Sequence, residues 1–505
     1  MKFEDLLLET GGFGRFQILI LFLLCFPRIN LPMHFLLHNF LAATPSHHCA
    51  IPHQEAFVNL TTEELLLISV PREPDGTFRS CEMFSQPQFY LLLLNSSLQP
   101  ENDSLIEDCK HGWVYDHSQF TSTTWDLVCE QRGLNQATAT FFFIGVTVGA
   151  VIFGYLSDRF DPFQAVPLLS PALDFRKLPC FAHVTKPCRP FPGEILSVPA
   201  ERCHAVAGME WVDVQHRTLS GILTSIFWSI GNMLLAMVAY LVRDWRWLLV
   251  AVTGPCFPSI IWLGMSPSLS RAPCLDPRRT AAELFPSFHL SQALRRMTTE
   301  KKSGENYSYI SLFRTPVLRK ISLCSGAVFG VAFSYYGMSL NLTGFGLNMY
   351  LSQFVFGIIE IPAKLIMYVL VNRVGRRQSQ AWTLILAGLC IGANVIIPKS
   401  FTSMRSVVAI MGKGFSESAF TTVFLYTSEL YPTILRQNGM GYTSFVARIG
   451  GALAPLVFLL DDVWRSLPEV TYCGVAVCCG SVAFLLPETL NVHLPEGIED
   501  VEKTQ

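Results

Sequence analysis

The sequence predicts an all-α membrane protein built as two six-helix halves, and three observations carry that prediction. Half of the 505 residues are hydrophobic and only 15% are charged, where soluble domains carry about 25% charged residues. Ten apolar runs are long enough to cross a bilayer, which takes about 20 such residues per helix. Polar, arginine-bearing turns recur at a nearly constant offset: Glu210 and Arg217 reappear as Glu429 and Arg436, 219 residues on, and Asp158-Arg159 as Asn372-Arg373, 214 on. In the first match a glycine, Gly221 or Gly439, soon follows and opens an apolar run. Two matches at similar offset point to parallel repeats with a substrate between them near the midplane.

The chain in order supports this layout. Residues 1–15 form a short, mildly acidic N-terminus, and an apolar run extends from Phe16 to Ala43. A signal peptide is disfavoured, because the start is acidic and the run exceeds a signal core of about 7–15 residues. Arg28, His34 and His38 on this run are expected to face a cavity or a neighbouring helix. Residues 44–135 are a polar loop with sequons at Asn59, Asn95 and Asn102 and with Cys49, Cys81, Cys109 and Cys129. Sequons together with an even cysteine set point outside the cell. The four thiols are compatible with two bridges, and spacing leaves their pairing open. A second span covers 137–156 and ends at Asp158-Arg159.

Residues 161–207 break the pattern: eight prolines fall between Pro162 and Pro199, without an apolar run of spanning length. Proline inside a helix costs about 3 kcal/mol, so the third and fourth of twelve expected helices are not legible. Runs at 219–241 and 247–264 complete an N-terminal transmembrane half over 16–264. Residues 265–320 are basic, which marks a cytoplasmic loop. The C-terminal half, 321–487, holds spans near 321–342, 347–371, 380–398, 404–427, 439–460 and 470–487, before a short acidic tail, 488–505. The basic loops and the glycosylable loop together place both termini in the cytoplasm.

Charged and aromatic residues inside these spans are the candidate site. An arginine at membrane depth costs roughly 3 kcal/mol or more on insertion scales. Arg448 is therefore expected to face an aqueous path and attract an anion. Lys364 is a second intramembrane cation, and structural pairing with Glu360 or Glu417 is the alternative role of both Arg448 and Lys364. Glu417 is expected to select amine-bearing or nucleobase-like groups, or else to pair with Lys413. Tyr335 and Tyr336 can hydrogen-bond a carboxylate and stack on a ring. Phe420 and Phe424 share a helical face four residues apart. Core packing is the plainer reading of these four rings. Asp158, Arg159, Glu210, Arg217, Arg373, Arg376, Arg377, Glu429 and Arg436 read as inner-gate groups, whose ion pairs across the halves would favour one state. Membrane anchoring is the rival account of the arginines. The sequence has no P-loop and no nucleophile elbow, and His47-His48 and Cys478-Cys479 lack ligand spacing. No enzyme, cofactor, metal or nucleic-acid role is expected.

Several motifs carry a resemblance. Val371-Asn-Arg-Val-Gly-Arg-Arg377 resembles the loop motif of the major facilitator superfamily. Ser428-Glu-Leu-Tyr-Pro-Thr433 with Arg436, Pro487-Glu-Thr489 and Trp125-Asp-Leu-Val-Cys129 resemble the solute carrier 22 family of organic ion transporters. Phe333-Ser-Tyr-Tyr-Gly337, Met411–Phe420 and Pro71–Gly76 resemble its organic anion branch. The likeness covers 1–160, 208–264 and 308–500. It implies a major facilitator fold in the plasma membrane and a secondary transporter working by alternating access, by exchange or facilitated movement. The implied partners are the lipid bilayer and organic anion substrates: carboxylates, nucleotides, nucleobase-like metabolites and drugs. In the family an arginine at the position of Arg448 goes with anions, and Lys364 matches a lysine of the anion branch. The chain departs from the family at Asp161-Pro162, where Gly-Arg-Arg is usual, and at Ser266-Pro267-Ser268, where Pro-Glu-Ser is usual. Retained length with lost pattern resembles translation in a shifted frame. The second reading is therefore a chain that does not transport and acts at most as a membrane binding or trafficking partner.

Overall fold

The computed structural model describes residues 15–43, 45–51, 60–72, 78–89, 106–116, 128–159, 217–255, 309–342, 348–398, 400–432, 435–464, 466–490, 492, 495 and 498–503. The described residues form two compact units, one within 1–39, 136–241 and 249–505, the other within 40–135 and 242–248. The expected third and fourth helices, most of the basic loop, Glu210 and the sequon residues Asn59, Asn95 and Asn102 lie outside the described residues.

The larger unit is helical. Its longer described helices are α1 (Arg15–Leu36), α2 (Arg132–Arg159), α3 (Arg217–Leu241), α4 (Trp245–Thr253), α5 (Pro316–Ser325), α6 (Val328–Leu340), α7 (Met349–Val374), α8 (Arg376–Ile396), α9 (Thr402–Leu430), α10 (Arg436–Val457) and α11 (Leu467–Ala483). Residues 132–135 of α2 and 245–248 of α4 belong to the other unit. Among the described residues, five segments are long and apolar enough to cross a membrane by length and composition: Leu219–Leu241, Pro316–Leu340, Met349–Val374, Arg376–Ile396 and Asn438–Asp461. The expected 321–342 span arrives as α5 and α6, joined through Gly326-Ala327. Pro316 sits at the start of α5, where its missing N–H costs nothing.

The expected spans 347–371 and 380–398 nearly touch in the structure. Only Gly375 separates α7 from α8, at φ +108°, a conformation other residues rarely adopt. A Cβ there would stand 2.6 Å from Glu488 Oε2. Arg376 and Arg377 thus open α8.

The main core joins Leu31 and Phe35 of α1, Phe143 and Val146 of α2, Trp228 of α3, Phe333, Tyr335 and Tyr336 of α6, Val423 of α9 and Tyr472 of α11. α3 comes from the first sequence half and α7 from the second, and they pack tightly. A Cβ on Gly357 would meet Met233 Cγ at 2.7 Å and its backbone nitrogen at 3.2 Å.

The smaller unit carries β1 (His47–Cys49), β2 (Glu82–Phe84), β3 (Ile106–Asp108) and β4 (Trp113–Tyr115). β1 pairs antiparallel with β4, and β2 with β3, with His47 opposite Tyr115 and Glu82 opposite Asp108. The bridges Cys49–Cys109 and Cys81–Cys129 select one of the pairings that spacing left open. A short helix, Thr62–Ser69, begins with a reciprocal cap: Thr61 Oγ1 accepts from the Glu64 amide at 3.4 Å, and Glu64 Oε2 accepts from the Thr61 amide at 2.8 Å. The Thr61 hydroxyl, then its amide, hold the Glu64 carboxyl below its ordinary range.

Candidate substrate-binding site

Two helices each place an acid and a base four residues apart on one face, where such residues are neighbours. In α7 the order is Glu360 then Lys364; in α9 it is Lys413 then Glu417. With the order reversed, each acid meets the other helix's base. Lys364 Nζ lies 2.8 Å from Glu417 Oε1, and Lys413 Nζ lies 3.3 Å from Glu360 Oε1. Lys364 also lies 3.6 Å from Glu360 Oε2. All four residues are at most 2% exposed. An isolated charge would be very costly there, so its counter-charge and hydrogen bonds are what make it tolerable.

Neutral polar groups complete the cluster. From α3, Ser229 Oγ donates to Glu360 Oε2 at 2.7 Å and accepts from Lys364 Nζ at 2.6 Å. Asn232 Nδ2 lies 3.2 Å from both Glu360 oxygens, and the Ser225 carbonyl accepts from Lys364 Nζ at 2.7 Å. From α6, Tyr335 OH donates to Glu360 Oε1 at 3.3 Å and accepts from Trp228 Nε1 at 3.1 Å. Lys413 Nζ donates to Ser339 Oγ at 2.6 Å and stands 3.3 Å from the centre of the Tyr335 ring, a cation–π arrangement. Glu417 Oε2 is buried with no hydrogen-bond partner among the described residues.

An aromatic cluster adjoins these charges. Tyr335 and Phe420 have ring centres 5.0 Å apart, Phe420 and Phe424 5.3 Å, and Tyr336 and Phe143 4.6 Å. Phe420 and Phe424 remain half-buried. Arg448 is half-buried on α10. Three residues later, a Cβ on Gly451 would touch the rings of Tyr336 and Phe143 at 3.1 and 3.2 Å. The structure thus gathers Lys364, Glu417, Tyr335, Tyr336, Phe420 and Phe424 around one locus.

The candidate gate residues fall elsewhere. Arg376 Nε and Nη2 donate to the Glu429 carboxylate at 3.1 and 3.3 Å, and Thr489 Oγ1 donates to Glu429 at 2.6 Å. Glu488 accepts the amides of Arg376 at 2.7 Å and Arg377 at 3.2 Å, the arrangement expected of an anion at a helix N-terminus. This network lies within the second sequence half. Arg373 is exposed and Arg436 half-buried. Asp158 and Arg159 end α2 and Arg217 opens α3, with side chains outside the described set.

The sequence offers a signal for some of the additional cluster residues. Glu360 and Lys413 are legible as intramembrane charges four residues from Lys364 and Glu417. Glu488 is marked only by the Pro487-Glu-Thr489 motif, and Ser229 and Asn232 have no signal, since a serine in an apolar helix ordinarily bonds its own backbone.

Residues 206–455 match the family model described as Major Facilitator Superfamily. The whole chain is 46% identical to human "Solute carrier family 22 member 7", covering 96% of that protein, and 44% identical to the rat protein of the same name, covering 98%. It is 36% identical to zebrafish "Solute carrier family 22 member 6", over 99% of this chain and 94% of that one. Among solved structures, the inward-open xylose transporter XylE from E. coli shares 14% identity at a TM-score of 0.52, over 74% of this chain and 90% of that chain. That last likeness concerns the fold alone.

Proposed function

Because the chain belongs to the solute carrier 22 family of the major facilitator superfamily, a family of multi-pass membrane transporters, we propose that it carries small organic anions across the plasma membrane by alternating access. One observation supports the choice of anions. Away from their ends, the described helices of 20 residues or more hold four cations, Arg28, Lys364, Lys413 and Arg448, against two acids, Glu360 and Glu417. Intramembrane charges of this kind mark solute pathways, and the excess of positive charge favours an anionic solute. Arg448 and Lys364 are the anion contacts in this reading. Tyr335, Tyr336, Phe420 and Phe424 form a wall suited to planar carboxylates, nucleotides, nucleobase-like metabolites and drugs. The spare acceptor at Glu417 Oε2 suits an N–H donor on such a ring. The Arg376–Glu429 network and the other gate residues sit on the cytoplasmic side, together with both termini, and the disulfide-bonded unit lies outside the cell. Transport is exchange or facilitated movement, with no cofactor.

The test is uptake of labelled cyclic guanosine monophosphate, glutamate and salicylate by cells expressing this chain. Saturable uptake above control cells of at least one is expected, and Arg448→Asp should abolish it while surface expression persists. No uptake of any of the three at full surface expression would favour the non-transporting reading. Unchanged uptake by the Arg448→Asp variant would remove that residue from the site.

A further inference from the structure

Lys364 is the point where the two sequence halves share a charge. An ammonium has three N–H donors, and three acceptors stand within 2.8 Å of this one. Two come from α3 of the first half, the Ser225 carbonyl at 2.7 Å and Ser229 Oγ at 2.6 Å; the third is Glu417 Oε1 of the second half at 2.8 Å. Every donor on Lys364 is therefore in use, and the residue is fully buried. An anion can reach this ammonium only by displacing one of these partners.

We propose that Ser229 is a positioning residue that latches α3 to α7 through Lys364 and Glu360, and that a substrate anion must take Lys364 from it. Ser229 is the only side chain of α3 that bridges both charges of α7 among the described residues. Its hydroxyl donates to the acid and accepts from the base, so a single rotamer satisfies both. Displacement of Ser229 frees the contact between the halves where Gly357 lies against Met233. Anion binding and separation of α3 from α7 thereby become one event. The latched state lowers apparent affinity by the fraction of molecules that must unlatch before binding. This inference deepens the organic-anion reading and rests on it for the identity of the displacing ligand.

Two readouts test it. The first is the KM for labelled salicylate uptake. Ser229→Ala should shift the latch equilibrium about 25-fold, the size expected of one lost hydrogen bond to a charged group, and lower KM by about five-fold, the rest of the shift appearing as a smaller latched population. A merely structural role for Ser229 would raise KM or lower surface expression instead. Ser229→Cys, close in volume and poor as an acceptor, should move KM in the same direction by less; it covers the case in which the alanine variant fails to fold. The second readout needs no ligand: crosslinking by a short bismaleimide of a Tyr240→Cys, Tyr350→Cys pair, whose rings lie 5.8 Å apart between α3 and α7, read as one band after cleavage at a protease site inserted within 265–308. Ser229→Ala should lower crosslinking yield about five-fold, the remaining share of that shift. An unchanged yield overturns the latch, and an unchanged or raised KM overturns the positioning role. No salicylate uptake by any variant, with the yield falling as expected, would count against the organic-anion reading while the latch stands.

Discussion

Lys364–Glu417 and Arg376–Glu429 pair the same kinds of group in different surroundings. The first pair is 0% and 3% exposed at its side chains; the second is 11% and 19% exposed. Around Lys364 each partner is another side chain or a carbonyl fixed by a packed helix, and water does not reach the group. Around Glu429 and Glu488 part of the stabilisation comes from the start of α8, where backbone amides point at the Glu488 carboxylate whatever the neighbouring side chains do. The comparison teaches that the interior cluster is all-or-none, while the cluster at the helix start is graded. Under the proposed function the two divide the work: the interior cluster exchanges partners with a solute, and the joint at the start of α8 keeps α7, α8 and α9 together while this happens.

The largest test of the contrast is Lys364→Met. It leaves Glu417 and Glu360 buried with too little counter-charge, at a cost of about 3–5 kcal/mol. The thermal midpoint of detergent-solubilised protein should collapse, and adding Glu417→Gln should recover part of it. A Lys364→Met variant as stable as the unaltered chain would show that water already reaches the cluster. A smaller effect is expected from Glu488→Ala, about 1–2 kcal/mol, because water replaces the carboxylate at the partly exposed helix start. A loss as large as that of Lys364→Met would make the two clusters equivalent and break the contrast.

The capping pair of the disulfide-bonded unit supplies the exposed limit. Thr61→Ala removes both the cap and the sequon at Asn59, while Asn59→Gln removes the sequon alone. Protease resistance of the two variants should differ by about 1 kcal/mol, the worth of one cap. Both should run at lower apparent mass if the unit faces outward; no change in mass would place it inside. Hydrogen bonds hold Glu64 below its ordinary range. The cap's contribution is therefore complete above the unfolded carboxyl value, about pH 4.3, and is lost as pH falls through the lower folded value.

Much of the bundle was legible because its signals are local. Hydropathy runs place α3, α7, α8, α9 and α10 to within a few residues, since burying twenty successive backbone units in lipid demands an uninterrupted apolar helix. Lys364, Glu417 and Arg448 announce themselves because a charge inside such a run is expensive wherever it points. The four cysteines of the polar loop were legible as a set, and only the fold brought Cys49 to Cys109 and Cys81 to Cys129. The same limit applies to the site. That Glu360 meets Lys413 rather than Lys364 alone depends on how α7 and α9 lie side by side, and that Ser229 touches both charges depends on how close Gly357 lets α3 approach. Glu488 caps a helix that begins 112 residues earlier, a partnership invisible to any local pattern. Sequence determined which groups lie inside the membrane helices, because hydrophobicity and helical spacing are properties of neighbouring residues. Tertiary structure decided which of those groups touch, because that follows from the rotation and spacing of helices distant along the chain.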